Sequence, residues 1–164
     1  MSLYKKTKYD NSEEKLQKYI TLMSAYGSSA GIAFNFHGTI ANTIDAHRLI
    51  QHYQETISPD AANKIVNSLY SQYFELAAHP SSMESLMAAA LAAGVSSEDA
   101  ESFISDEYED LVETRMLIRE QASNGIDSVP YVIIEGKRRD FTLEGAKEVG
   151  EYVKVFETVA KESR

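Results

Sequence analysis

Cysteine is absent from all 164 residues of the sequence. Thiol–disulfide exchange needs one thiolate to attack a disulfide and a second thiol to leave, and no other side chain replaces that pair. The sequence therefore excludes disulfide oxidation, reduction and isomerisation as activities of this chain.

Basic residues are scarce, because 16 lysines and arginines stand against 25 aspartates and glutamates, a net charge of −9. Nucleic acids and anionic membranes bind clustered basic side chains, so neither is an expected partner. No hydrophobic run approaches the length of a membrane span, and the basic residues Lys5 and Lys6 are not followed by an apolar signal-peptide core. These absences predict a cytoplasmic protein.

Motifs for common cofactors are also missing. The sequence has no glycine-rich nucleotide loop and no Gly-x-Ser-x-Gly elbow. His47 and His52 are five residues apart, whereas two ligands on one face of a helix are four apart, so no metal site is predicted. The acidic residues between Asp106 and Glu113 are interpreted as a solvated helix face. We expect neither a metal nor a cofactor from these patterns.

The sequence does contain a series of helix signals, in a composition typical of one globular domain. Capping residues and apolar periodicity predict most helix bounds. The predicted helices run from a cap at Asn11 or Ser12 to Gly27, from Asn42 to about Thr56, from Ser58 to a break at His79-Pro80, from Ser82 to Ala93, and from a cap at Ser97 to Asn124 as one helix or two. On the third helix, a stripe of apolar and aromatic residues is typical of a core face: Ile65, Val66, Leu69, Tyr70, Tyr73 and Phe74.

Strand signals are confined to the C-terminal part, apart from a segment at 31–38 that is predicted to be an ordered loop or a short strand. The β-branched run Tyr131–Ile134 predicts one strand, and Glu135-Gly136-Lys137 predicts a turn. A second strand is expected over Arg138–Thr142, with Thr142 as the cap of a last helix that ends near Ala160.

Two groups of motifs carry a family resemblance. Residues 124–137, Asn-Gly-Ile-Asp-Ser-Val-Pro-Tyr-Val-Ile-Ile-Glu-Gly-Lys, resemble the cis-proline hairpin of a thioredoxin fold, and the order of elements is similar to the C-terminal part of a DsbA-like thioredoxin domain. Residues 31–36, Gly-Ile-Ala-Phe-Asn-Phe, and 42–50, Asn-Thr-Ile-Asp-Ala-His-Arg-Leu-Ile, resemble motifs of the FrnE-like branch of that family. Relatives of this branch include 2-hydroxychromene-2-carboxylate isomerases and kappa-class glutathione transferases. The resemblance covers about residues 3 to 160.

The resemblance implies an α+β fold of DsbA-like type, with a large helical subdomain followed by a β-hairpin and a helix. We expect one domain over residues 1–164, with a helical insertion over about 11–124 and a thioredoxin-like ββα half over 125–162. In such proteins a strand–helix–strand unit with Cys-x-x-Cys or a catalytic serine comes first. That unit has no counterpart among these residues, so the fold is expected to be truncated.

The candidate site residues follow from the same resemblance. Val129–Pro130 is expected in cis, either as a structural turn or to leave the Val129 N–H and C=O free for an extended ligand such as glutathione. His47 lies in a motif that faces the active-site cleft of the branch, so it either transfers protons or packs between helices. The remaining candidates flank the same segment: His37 as a second catalytic residue, and Asn35, Asn42 and Asp45 as substrate-binding residues. Asn42 as an ordinary helix cap is the alternative for that position.

Two functions are compatible with this sequence. The first is a non-redox enzyme, an isomerase, cyclase or dehydratase, that binds an aromatic small molecule of the kind found in secondary metabolism. The second is a non-catalytic module for dimerisation or partner binding. Because the expected truncation leaves the strand Tyr131–Ile134 with an unpaired edge, we predict a homodimer, or failing that a hetero-complex. The alternative is a monomer in which Ser2–Tyr9 folds back as a substitute strand.

Overall fold

The computed structural model of the protein describes Lys8 and residues 10–162. The chain divides after Arg115 into two compact units. Helices and one two-stranded antiparallel sheet make up the described regular structure, so the fold class is α+β as predicted. The single domain over 1–164 stays a prediction, and the Ser2–Tyr9 substitute strand falls almost wholly outside the described residues.

The first unit consists of helices with serine caps. Its helices are α1 (Glu13–Ser29), α2 (Ile44–Thr56), α3 (Pro59–Phe74), α4 (Met83–Ala92), α5 (Ser97–Ser105) and the start of α6 (Leu111–Ser123). The side chains of Ser12, Ser58, Ser82 and Ser96 each accept a hydrogen bond from the backbone N–H three residues later. The cap of α5 is thus Ser96, and the predicted cap Ser97 is the first helical residue.

One other predicted helix end is corrected, and one alternative that the sequence left open is decided. Helix α1 continues past Gly27. The glycine is needed here because Phe34 packs closely against the helix, and a Cβ atom at this position would lie 2.5 Å from Phe34 Cδ2. The segment 97–124 is two helices, since the Asp106 carboxylate accepts hydrogen bonds from the N–H groups of Tyr108 and Glu109 and closes a turn. The acidic residues 106–110 therefore form a loop, and their interpretation as a helix face was wrong.

The core of the first unit lies among α2, α3, α4 and α5. Leu49 and Ile65 are completely buried, and alanines 89 and 90 let α4 approach its neighbours closely. Ile65 and Leu69 of the α3 stripe belong to this core, as predicted. Its aromatic residues Tyr70 and Phe74 do not, because they are 59% and 38% exposed.

The second unit contains a hairpin and a helix. Strands β1 (Tyr131–Ile134) and β2 (Phe141–Glu144) pair antiparallel, and α7 spans Val149–Glu162. The second strand starts later than predicted, because the Gly136 N–H donates to the Asp140 carboxylate within a longer loop over 135–140. Thr142 consequently lies inside β2 and does not cap the last helix.

None of the helices among the described residues has the length and hydropathy needed to cross a membrane. The cytoplasmic location stays a prediction.

Candidate functional site

The segment between α1 and α2 is an ordered loop that is fixed to the C-terminal end of α3. The Asn35 N–H donates to the Phe74 carbonyl at 2.7 Å, and the Ala33 N–H donates to the Glu75 carboxylate at 3.2 Å. Phe34 packs edge-on against Phe74, with ring centroids 5.7 Å apart. These contacts hold the loop beside the exposed aromatic side chains of α3.

Two adjoining cavities lie along this loop. The smaller, of about 260 Å³, is bounded by α1, the loop and the end of α3, and the larger, of about 550 Å³, by the loop, α2 and α3. Ile40, Tyr73 and Phe74 line both cavities, so the two form one continuous surface, the aromatic groove. Its other aromatic wall residues are Tyr19, Phe34, Phe36 and Tyr70.

The aromatic groove has few polar groups. His47 of α2 lines its larger cavity, and Asn35 lines the smaller one. Among the described residues that line either cavity there is no lysine, arginine, aspartate or glutamate. Apart from tyrosines, His47 is the titratable side chain that this wall presents. A ligand in the groove therefore meets an apolar, uncharged surface with one imidazole.

The other predicted site residues of the first unit lie elsewhere. His37 is exposed and its N–H donates to the Asn35 side chain, while the Asn42 side chain accepts from the Ile44 N–H at 3.0 Å, one residue before Thr43, the N-cap of α2. Asp45 forms an ion pair with Arg48 at 3.2 Å and lines a different cavity. The structure thus brings Asn35 and His47 to one groove, and it does not bring His37, Asn42 or Asp45 there. The roles assigned to these residues stay predictions.

Arg48, next to His47 in the sequence, is buried to 98% and was not singled out by sequence reasoning. Its Nε donates to the Glu109 carbonyl at 2.7 Å, and its Nη2 donates to the Asp106 carbonyl. The guanidinium also lies over the Phe103 ring, 5.1 Å from its centroid. The sequence does contain a signal for this role, because a charged residue stands on the apolar face of α2. A buried arginine requires hydrogen-bond partners. Arg48 fixes the loop over 106–110 to α2.

His52 makes a second connection to the same loop. Its Nδ1 lies 2.7 Å from the Asp110 carboxylate, and its ring stacks on Phe103 at 4.1 Å. His47 and His52 therefore lie on the same helix but contact different parts of the protein. No group of three or more metal-ligating side chains occurs in the part of the chain that the structure describes.

The remaining predicted site residues lie in the second unit. The Val129–Pro130 peptide bond is cis, as predicted, and Val129 is 84% exposed. The Pro130 carbonyl accepts a hydrogen bond from Gly145, whereas within the described residues no hydrogen bond engages the Val129 backbone. Pairing of Val129 with an extended ligand such as glutathione stays a prediction.

Comparison with known proteins gives one family. The family model described as a DSBA-like thioredoxin domain matches residues 2–156. No curated protein matches the chain.

Proposed function

We propose that this chain, which belongs to the family of DSBA-like thioredoxin domains, binds an uncharged aromatic small molecule in the aromatic groove. Without cysteine it is not a disulfide oxidoreductase. The observation that carries the proposal is the groove itself, which combines six phenylalanine and tyrosine side chains with a single imidazole and no ionic side chain.

The composition of the walls selects the ligand class. Planar aromatic molecules gain by stacking edge-on or offset against Phe and Tyr rings, in addition to the area they bury. An anion or a cation would lose hydration in this groove without meeting an opposite charge, which is costly. Pockets that bind drug-sized molecules have the same character, apolar walls with a few placed polar groups.

His47 extends the proposal from binding to catalysis. An imidazole both accepts and donates protons near neutral pH. An isomerisation moves a proton from one atom of the substrate to another, so one imidazole that takes the proton and returns it leaves the protein unchanged. A cyclisation or dehydration can use the same exchange. Assignment to the FrnE-like branch, which rests on residues 31–36 and 42–50, agrees with such non-redox chemistry on an aromatic natural product.

His47→Ala is expected to weaken binding of 2-naphthol, a neutral planar probe, about fivefold, because it removes one hydrogen bond. The melting temperature should stay within a few degrees, since His47 is exposed. Quenching of probe fluorescence measures binding, and thermal denaturation measures stability. His37→Ala is the matched control, an exposed histidine that does not line the groove. Equal losses of binding in both variants, or a loss in proportion to lost stability, would count against the role of His47.

The protein should be inert in insulin reduction and in refolding of a scrambled disulfide substrate, because none of its residues can form a mixed disulfide. Both assays are run beside a buffer blank and a thiol-containing thioredoxin. Reproducible turnover above the blank would refute the exclusion of redox chemistry.

A second candidate function is assembly, and specific observations in the second unit favour it. Val149, Val153 and Phe156 are 76%, 46% and 56% exposed, and they recur along α7 at a spacing of four and three residues, so they form one apolar stripe. Within the described residues β1 pairs with β2 alone, and Ile133 on β1 is 55% exposed. Exposed apolar stripes and open strand edges are typical of surfaces that meet another chain.

A further inference from the structure

Asn35 and His47, two polar side chains of the aromatic groove, lie in different cavities. Asn35 lines the smaller cavity and not the larger, whereas His47 lines the larger and not the smaller. The wall that both cavities share is formed by Ile40, Tyr73 and Phe74. A ligand that occupies one cavity alone can therefore meet only one of these two polar groups.

The shared wall is held in place by contacts between aromatic rings. The ring of Phe74 packs edge-on against Tyr70, Tyr73 and Phe34, with centroids 5.6, 5.0 and 5.7 Å apart. Such pairs are favourable beyond the area they bury, so the ring of Phe74 has a defined place at the junction of the two cavities. Phe74 is also 38% exposed, and a ligand that passes from one cavity to the other can contact it.

Asn35 presents a hydrogen-bond donor that solvent can reach. Its Oδ1 accepts from the His37 N–H at 3.1 Å, which fixes the side chain. Its Nδ2 donates to no group within the described residues, and it is not one of their buried unpaired atoms, so it is accessible. A carbonyl or ether oxygen of a ligand can accept a hydrogen bond from this nitrogen.

His47 is equally accessible in the larger cavity. The residue is exposed, and no hydrogen bond or ion pair engages its imidazole in the part of the chain that the structure describes. A phenolic or enolic hydroxyl of a ligand can donate to one of the ring nitrogens. Because no ionic side chain lines either cavity in the described structure, uncharged groups are the partners that fit Asn35 and His47.

We infer that the ligand of the aromatic groove is an elongated molecule of two linked aromatic rings with an uncharged polar group at each end, an inference that rests on the proposed function. One ring lies in the larger cavity, where its hydroxyl donates to His47. The other ring passes Phe74 into the smaller cavity, where a carbonyl or ether oxygen accepts from Asn35 Nδ2. The smaller cavity, of about 260 Å³, has room for this ring. An apolar cavity of about 150 Å³ already accommodates benzene.

Calorimetric titration of the full chain with three neutral phenols tests the inference. 2-Naphthol is the short ligand, 4-hydroxybiphenyl adds a linked second ring, and 4-acetyl-4′-hydroxybiphenyl adds a carbonyl at the far end. We expect 4-hydroxybiphenyl to bind about threefold more tightly than 2-naphthol, because its second ring reaches the smaller cavity. The acetyl group should add about a further fivefold, since its oxygen accepts a hydrogen bond from Asn35.

Two variants of the polar groups assign the ends of the ligand. Asn35→Asp keeps an oxygen for the His37 N–H but lacks the amide donor, so the gain from the acetyl group should vanish. Its affinity for 2-naphthol should stay within about twofold, because Asn35 does not line the larger cavity. His47→Ala should weaken all three phenols to the same extent, since each of them donates its hydroxyl to this residue.

Two tyrosines of α1 give a matched pair for the smaller cavity. Tyr19 lines only that cavity, so Tyr19→Ala should weaken both biphenyls about threefold and leave 2-naphthol within about twofold. Tyr26 is 60% exposed and lines neither cavity, so Tyr26→Ala should leave all three affinities unchanged. Thermal denaturation verifies that each variant is folded at the temperature of the titration.

The outcomes distinguish this inference from the proposed function on which it rests. Equal affinities of 2-naphthol and the biphenyls, or an acetyl gain that persists in Asn35→Asp, would overturn the inference and leave the proposed function in place. A loss of 2-naphthol binding in Asn35→Asp or Tyr19→Ala as large as the loss for the biphenyls would also overturn it, because both cavities would then act as one site. Failure of all three phenols to saturate the protein would refute the proposed function, and this inference with it.

Discussion

Arg48→Ala is expected to lower the free energy of unfolding by about 3 kcal/mol, the largest loss among single substitutions of the charged residues that the structure describes. The substitution leaves the carbonyls of Asp106 and Glu109 without their donor, in a position where Arg48 is 2% exposed. It also removes the guanidinium from the face of Phe103 and opens a cavity there.

Chemical denaturation followed by far-UV circular dichroism measures this loss, and the melting temperature should fall by about 10 °C. Gln54→Ala is the control on the same helix, because Gln54 is exposed, and it should change stability by less than about 0.5 kcal/mol. Arg48→Lys should be intermediate, since an ammonium cannot reproduce the forked set of donors. Equal stability of Arg48→Ala and Gln54→Ala would contradict the buried anchoring role.

This anchoring role changes how the motif over residues 42–50 is understood. The motif places His47 and Arg48 side by side in the sequence, yet successive helical residues point in directions about 100° apart. His47 therefore lines the aromatic groove while Arg48 turns into the protein toward the 106–110 loop. Loss of activity in an Arg48 variant would report on folding, and only substitution of His47 tests the proposed chemistry.

Most helices of the fold could be predicted because their signals are local. Serine caps and Pro59 act on the next turn of the chain, so the starts of α1, α3 and α4 were found without tertiary information. Gly27 shows the limit of this reasoning. Glycine is a common helix end, but here α1 continues because the residue is needed for the close approach of Phe34. That approach is a tertiary contact which the local pattern does not contain.

The candidate site shows the same division between local and tertiary information. The motif pointed to His47, and the groove contains it. The aromatic stripe of α3 was interpreted as core, because periodicity marks an apolar face without showing whether that face is covered. Tyr70 and Phe74 stay exposed and line the groove. The pairing of Arg48 with carbonyls about sixty residues away could not be read from spacing at all.

Charge is distributed unevenly along the chain, and this bears on assembly. Residues 116–164 contain eight basic and nine acidic side chains, so they carry a net charge of −1 and leave −8 on residues 1–115. Two copies of so acidic a chain repel each other over most of their surface. The second unit is the nearly neutral part, and it also carries the exposed stripe of α7 and an edge of β1 that pairs with no strand among the described residues. These features together favour a second copy as the partner of this surface.

We therefore expect a homodimer with a mass about twice the 18.3 kDa of the chain, measured by light scattering coupled to size exclusion at micromolar concentration. Val153→Lys should shift the mass to that of the monomer, because it places a charge in the centre of the apolar stripe. Ile133→Lys should do the same if the edge of β1 takes part. Both residues are about half exposed, so a lysine can reach solvent in the monomer without unfolding it.

Glu151→Lys is the control for this experiment. It introduces the same residue on α7 at an exposed position about 200° around the helix from Val149, away from the stripe, and it should remain dimeric. A mass near 18.3 kDa for the unmodified chain, unchanged on dilution, would end the dimer hypothesis. Dissociation by Glu151→Lys as readily as by Val153→Lys would show that dimers form through another surface. A monomer that forms a stoichiometric complex with a different protein would instead assign the stripe to a hetero-complex. In that case Val153→Lys would abolish the complex, and Glu151→Lys would preserve it.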